Sequence, residues 1–413
     1  MLREYHELPL PVHVLCLGLF INRAGSFVVV FLSIYVSEQL GYGKVFASQC
    51  IGAFGLGSIL AAFIGGQLAD QVGRKAVMVF ATLGGATLLV IMSMITSKLG
   101  LVAMILLYAT VAETFRPACS AMLGDLTEPH QRPTAFGLFY VSINLGFACG
   151  PPIGGVLADI SYRLLFWGDA LTMAVFAVII LLKIPESKAL IGTNTEAENR
   201  VPVGTAIRQI LADTPFVLFC LGTLLVSLVF MQCVATLPVH IKSAGYTNFE
   251  YGILMAINGG LIVICQLPFT KLLERFQPMS NVIGGGLIIA VGFGMYYLPV
   301  TTPLLICAVI VWTIGEMMQA PFKQTVVTNL APLELRARYM GLFSMSYAIA
   351  LTIGAPVGGF ILDRYGPRNF WIVCFCVAVA GVLTYLAAFR QITERRTHRP
   401  VADSAVNRQH GAA

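Results

Sequence analysis

Charge is what this chain has least of. Of its 413 residues only 11% are Asp, Glu, Lys or Arg, against about 25% in an ordinary soluble domain. It cannot cover a water-facing surface, which excludes a soluble enzyme or binding module. The 10 cysteines form no C-x-x-C pair, so they read as small apolar packing residues and not as a disulfide or zinc framework. Cys374 and Cys376 lie two apart on one helix and point in different directions. The 6 histidines are scattered, with His240 near an expected membrane edge. No metal-ligand cluster, nucleophile motif or phosphate-binding loop is present, so neither a metal site nor a membrane enzyme is expected. ATP-driven work by this chain alone has no support either. No cleavable signal peptide is evident, because the opening residues are polar and no small-residue cleavage site precedes the first long apolar run.

What the chain has in abundance is apolar length. Hydrophobic residues make up 57% and the mean hydropathy is +0.81. Segments of about 20 mainly apolar residues cross the hydrocarbon of a bilayer. Twelve are predicted, at roughly 12–36, 45–68, 76–96, 101–124, 134–158, 165–184, 214–238, 249–272, 281–299, 303–327, 339–362 and 369–389. Basic residues set the orientation. With the N-terminus inside, the inner loops and tails hold seventeen of them and the outer loops six. Both termini are therefore expected in the cytoplasm. This bias accounts for the formal charge of +6, and no nucleic-acid partner is expected.

The chain repeats itself. Spans 4 to 6 lie over spans 10 to 12 at a constant offset of 204 residues. Pro117 falls on Pro321, Arg132 on Arg336, Gly150 on Gly354, Pro152 on Pro356, Asp159 on Asp363 and Trp167 on Trp371, without a gap. Chance matching of apolar helices does not align Arg, Asp, Pro and Trp in one register. Six spans separate the copies, so both halves have the same orientation, as parallel repeats do in rocking-type carriers. The expected division is a six-helix bundle at 1–184, a polar cytoplasmic linker at 185–209, a second bundle at 210–389 and a basic tail at 390–413.

In the turn between spans 2 and 3 stands Gly66-x-x-x-Asp70-x-x-Gly73-Arg74-Lys75. An aspartate there gains nothing from the positive-inside rule, whereas Arg74 and Lys75 can be simple topological anchors. Asp70 can accept from the N-terminal amides of a neighbouring helix, and Arg74 can pair with Asp125 at the end of span 4. Spans, loop and repeat together resemble the major facilitator superfamily over nearly the whole chain. That resemblance implies that span 11 supplies the amides and that Gly66, Asp70, Gly73, Arg74, Lys75 and Asp125 gate the cytoplasmic side. The family's usual basic residue after the aspartate is Gln71 here.

Span 5 carries "GFACGPPIGG", with Gly146, Gly150, Pro151, Pro152, Gly154 and Gly155. Close helix packing alone explains the glycines, and prolines bend a helix. As a whole the run is similar to the antiporter motif of drug–proton exchangers in the superfamily. "TIGEMMQAP", Thr313 to Pro321, resembles the tenth span of bacterial multidrug exporters.

Ionisable groups at mid-membrane cost roughly 2.5–3.5 kcal/mol on insertion scales and mark pathways or relays. Here they are few: Asn22 and Arg23 in span 1, Glu113 and Arg116 in span 4, Gln232 in span 7, and Glu316, Gln319 and Lys323 in span 10. In the resembled fold spans 1, 4, 7 and 10 line the central cavity. Glu113 and Arg116 are three apart and share a face; Glu316, Gln319 and Lys323 follow the three-four spacing of one stripe. Glu316 is the favoured proton carrier, because Lys323 is two turns away while Arg116 sits beside Glu113; either pair can instead be structural. Asp169 reads as a surface or capping residue. The expected protein is thus an all-α integral membrane protein with twelve transmembrane helices in two parallel six-helix repeats around a cavity. Proton-coupled efflux of lipophilic small molecules is implied, by a monomer in a bacterial inner membrane that needs no cofactor beyond the proton gradient. Asn22, Arg23, Arg116, Gln232, Gln319 and Lys323 are the candidate cargo contacts, and Glu316 and Glu113 the candidate proton groups. The alternative is proton symport of a sugar, peptide or organic anion, which a count of three cavity cations against two acids favours.

Overall fold

The structure is a computed structural model, and it describes residues 7–128, 131–186, 203–332 and 335–398. Most of the expected linker and of the tail, and the surroundings of Gly66 and Asp70, lie outside the described residues. Among the described residues every regular element is helical. Eleven helical stretches are long and apolar enough to cross a membrane. The last belongs to Arg336–His398, 63 residues, or about 95 Å at 1.5 Å per residue. That is about three times the 30 Å hydrocarbon layer. It turns back at Gly366, whose φ of 79° and ψ of 170° are non-helical, and so forms spans 11 and 12. Pro367 follows, where a missing N–H at a helix start is harmless.

The remaining spans are Leu10–Ala24 with Phe27–Ile34 (span 1), Gly43–Val72 (span 2), Arg74–Met92 (span 3), Lys98–Ala112 with Phe115–Asp125 (span 4), Arg132–Ile160 (span 5) and Tyr162–Lys183 (span 6). Thr214–Phe230 with Gln232–Ala235 (span 7), Asn248–Leu273 (span 8), Pro278–Gly294 (span 9) and Thr302–Leu330 (span 10) complete the set. A short helix, Leu237–Ser243, extends span 7, and another, Val203–Ala212, occupies the end of the segment expected as linker. The final helix runs past the expected start of the tail to His398.

The breaks at Glu113 in span 4 and at Thr236, between span 7 and its short extension, have a local cause. Proline has no N–H and its ring clashes with the carbonyl four residues earlier. Pro117 thus opens span 4 at Glu113, and Pro238 frees the Val234 carbonyl in span 7. The freed carbonyl is used: the Ser33 hydroxyl of span 1 donates to it at 3.3 Å. Span 1 breaks at Gly25–Ser26, where Ser26 makes no capping bond. Pro151 and Pro152, by contrast, sit inside an unbroken span 5.

Spans 1 to 6 pack among themselves, as do spans 7 to 12, and the two bundles meet along spans 5 and 8 and along spans 2 and 11. Backbones touch there. A Cβ on Gly252 would stand 2.3 Å from the Pro151 carbonyl oxygen, and one on Gly155 2.6 Å from Phe249 Cα. Those contacts, with the edge-on Phe31–Tyr251 ring pair at 5.6 Å, close the face opposite the linker.

Candidate functional site

The deep polar groups fall into two clusters, one in each bundle. In the first, Arg116 Nε lies 2.8 Å from Glu113 Oε2. The Arg116 side chain is 67% exposed and that of Glu113 16%. So exposed an arginine halfway along a span requires an open chamber beside it. Behind this pair, inside the bundle, is a cavity of about 30 Å³ lined by Asn22, Arg23, Tyr108, Glu113 and Asp169, large enough for a water molecule. Arg23 Nε is buried with no hydrogen-bond partner.

Of the two readings of Asp169, surface or capping residue, the structure bears out the second. Asp169 is 1% exposed, far from a surface residue, and its Oδ2 accepts from the Val28 amide at 3.2 Å. It therefore caps the second half of span 1 from span 6, a task Ser26 does not perform; its hydroxyl donates to the Asn22 carbonyl at 3.1 Å. Only the break in span 1 brings an unpaired amide to Asp169. With Asp169 counted, three deep cations face three deep acids. The excess of positive charge that favoured an anionic cargo disappears.

In the second bundle, Asn258 of span 8 donates through Nδ2 to Glu316 Oε2 at 2.8 Å and to Thr313 Oγ1 at 3.1 Å. Asn258 was not anticipated, since an amide in an apolar helix has no signal of its partner. Lys323 is 4% exposed, and its ammonium lies over the Tyr347 and Tyr385 rings at 5.6 and 5.9 Å. Among the described residues no ion pair joins Glu316 to Lys323. Glu316 is itself only half-buried, unlike Gln319 and Lys323 of the same span.

Two expected cargo contacts are withdrawn from the chamber. Gln232 spends its whole amide inside the second bundle. Nε2 donates to the Leu228 and Gly354 carbonyls at 2.9 and 2.8 Å, and Oε1 accepts from Thr236 at 3.0 Å. It staples span 7 to span 11. Gln319, 2% exposed, donates to the Val282 carbonyl of span 9 at 2.9 Å; it shares a stripe with Glu316, but its amide turns toward span 9. Asn22 and Arg23 face the small inner cavity, and Lys323 its aromatic cage. Arg116 alone of the six opens widely to the chamber. The expectation that all deep charges converge in one group is corrected: they form two groups, one in each bundle.

At the linker end, Gly73 turns the chain with φ 117°. Arg74 Nε lies 3.0 Å from Asp125 Oδ2, and Lys75 Nζ donates to the Leu181 carbonyl at 2.9 Å. Glu186, which sequence gave no reason to single out, accepts from the Arg74 and Lys75 amides at 3.1 and 3.5 Å and so caps span 3. These contacts all lie within the first bundle. Most of the span 5 motif packs within that bundle, on span 1: Gly146 and Gly150 meet Arg23 and Ala24 and Gly154 the rings of Phe27 and Phe31, while Gly155 meets span 8 of the other bundle.

His240 lies beyond the end of span 7, on the closed face. It is 8% exposed, its ring is 5.7 Å from that of Trp371, and Nε2 is buried without a partner. Burial and the nearby Lys44 charge push its pKa down to about 4. Opening this face to water returns it to an ordinary value of about 6.5. The closed form thus binds fewer protons; its advantage is complete above about pH 6.5 and is lost as pH falls toward 4. At about pH 5.5 the balance should move toward the open form roughly tenfold. Reporter-dye accessibility on that face, measured against pH, checks this, and His240→Gln should flatten the profile.

Two like-oriented helical bundles, polar at mid-depth on the helices between them and able to touch at one face while parted within, define a membrane transporter. The chain belongs to the Major Facilitator Superfamily, whose family model matches residues 15–355. It is 25% identical over 398 residues to an uncharacterized MFS-type transporter, YqjV, of Bacillus subtilis, covering 92% of this chain and 94% of that one. It is 27% identical to a Na(+), Li(+), K(+)/H(+) antiporter of Planococcus maritimus, with 91% and 95% covered. Multidrug resistance protein MdtH of Photorhabdus laumondii is 22% identical, with 90% and 92% covered. Among solved structures, a POT family transporter in complex with 5-aminolevulinic acid superposes with TM-score 0.76 at 18% identity, over 93% of this chain and 97% of that one. At that identity it shares the fold alone. These proteins are transporters, and this chain is a multi-pass membrane transporter, not an enzyme.

Proposed function

We propose that the chain exports lipophilic small molecules in exchange for protons, by alternating access, as a monomer in a bacterial cytoplasmic membrane. The linker face, with both termini, is the cytoplasmic one, as the loop charges favour. The observation that carries the reading is Glu316. It is a mid-membrane carboxylate whose hydrogen-bond donor is a neutral amide, with no ion pair among the described residues to hold it charged. Such an acid can be protonated when its face opens outward and discharged when cargo binds from within. A potential of 100 mV supplies about 2.3 kcal/mol per charge, so one net charge per cycle sustains roughly a 40-fold cargo gradient. The proton gradient is then the only energy source needed. The withdrawal of Arg23 and Lys323 from the chamber and the likeness to MdtH and to a cation/proton antiporter support export over uptake of an anion.

The test uses inside-out vesicles carrying an imposed proton gradient. Addition of a panel of uncharged lipophilic compounds should dissipate the gradient only in vesicles containing the protein. If the panel is inert, and a sugar, peptide or organic acid instead moves in the same direction as protons, the reading fails and symport replaces it.

A further inference from the structure

We infer that Asp159 is the latch of the face opposite the linker: from the end of span 5 its carboxylate grips the first turn of span 8 and so holds the two bundles shut there. Oδ1 accepts from the Asn248 amide at 3.3 Å and from Asn248 Nδ2 at 2.8 Å; Oδ2 accepts from the Phe249 amide at 3.2 Å. Tyr162, just past the turn from span 5 to span 6, donates to Asn248 Oδ1 at 3.3 Å. The hairpin between those spans thus grasps one residue of the other bundle from two sides.

The donors are the ones span 8 leaves over. Four amides at a helix start lack internal partners. Thr247 and Glu250 form a complete capping box, with the Glu250 amide donating to Thr247 Oγ1 at 3.1 Å and the Thr247 amide to Glu250 Oε2 at 2.7 Å. The next amides, Asn248 and Phe249, remain, and Asp159 takes both. Span 8 is therefore capped without Asp159, and the carboxylate serves the contact between bundles. Asp159 is itself exposed, so on opening its oxygens and both amides pass to water with nothing left unpaired. A bond that is strong when made and harmless when broken suits a joint remade in every cycle. It is also directional, because the positive end of the helix dipole points at the carboxylate. Gly155, one turn earlier, permits it, since Phe249 Cα could not approach a larger residue there.

This rests on alternating access but on neither the cargo nor the coupling ion, so accessibility measured without cargo or gradient tests it apart from the proposed export. Ser33→Cys, at a position fully buried on the closed face, reports that face with an impermeant maleimide. Gly341→Cys, where no atom lies within 4 Å of an added Cβ, reports the linker side. Asp159→Ala should raise labelling at position 33 roughly five- to tenfold and lower it at 341, and Asp159→Asn should do so less. Asn248→Ala should act alike, and the double variant no more than the stronger single, since all remove one joint. If the recovered level of Asp159→Ala is low, Asn248→Ala carries the same reading. Unchanged labelling, an increase at both positions, or additive effects of the two substitutions would each overturn the assignment.

Discussion

Glu316→Gln is expected to abolish accumulation of cargo against a gradient while leaving exchange of labelled for unlabelled cargo measurable. Glutamine keeps the size of the side chain and an oxygen to accept from Asn258 Nδ2, now at 2.8 Å from Glu316. What it cannot do is take up or release a proton. Chamber shape and cargo contacts survive, and the link to the gradient goes. At about 100 mV the accumulation ratio in inside-out vesicles should fall by roughly 40-fold, to the equilibrated value. Lys323 does not compensate, because its ammonium lies over two phenol rings and no ion pair joins it to Glu316 among the described residues. Wild-type accumulation and pH dependence in the glutamine variant would sink the assignment and move the proton to Glu113. That residue stands 2.8 Å from Arg116, in an ion pair that Glu316 lacks among the described residues.

The second large effect is on stability, at Asp169. Asp169→Ala strips the Val28 amide of its acceptor, a helix cap typically worth about 1 kcal/mol, and takes one of the two acids from the cavity that Arg23 lines, leaving that buried charge less compensated. The purified variant should melt well below the wild type, with lower yield from the membrane. Adding Arg23→Gln removes the stranded charge and should restore more than half of the loss; a merely steric role for Asp169 predicts no such rescue. A wild-type midpoint for Asp169→Ala alone would show that the cavity's charges do not depend on one another.

How much of this was legible beforehand varies from residue to residue. The Arg74–Asp125 ion pair joins residues expected to meet, because both lie at the same depth on adjacent spans and have few polar neighbours. Asp159 was visible only as a matched position in the repeat. Its partners are 89 and 90 residues away across the seam between bundles, and nothing in the run "VLADISYR" points to them. Glu186 likewise acquires its role only when the end of span 6 is brought beside the start of span 3. Gln232 and Gln319 show the opposite failure. Polarity in an apolar helix marked them as facing the chamber, yet buried carbonyls elsewhere can satisfy an amide equally well.

The sequence by itself determined that the chain lives in a membrane, how often it crosses, which segments repeat and where its scarce charges lie in depth. Each of those follows from transfer of a single side chain or segment between water and hydrocarbon, a local quantity that can be read in one dimension. Only the tertiary structure decided which way the deep side chains turn, that Asp169 completes the charge balance, and that one face is joined through Asp159. Hydrogen bonds and ion pairs act over about 3 Å, while on a helix each residue turns the next by 100°. Which groups meet is therefore set by how the helices pack, and the order of residues along any one of them does not contain it.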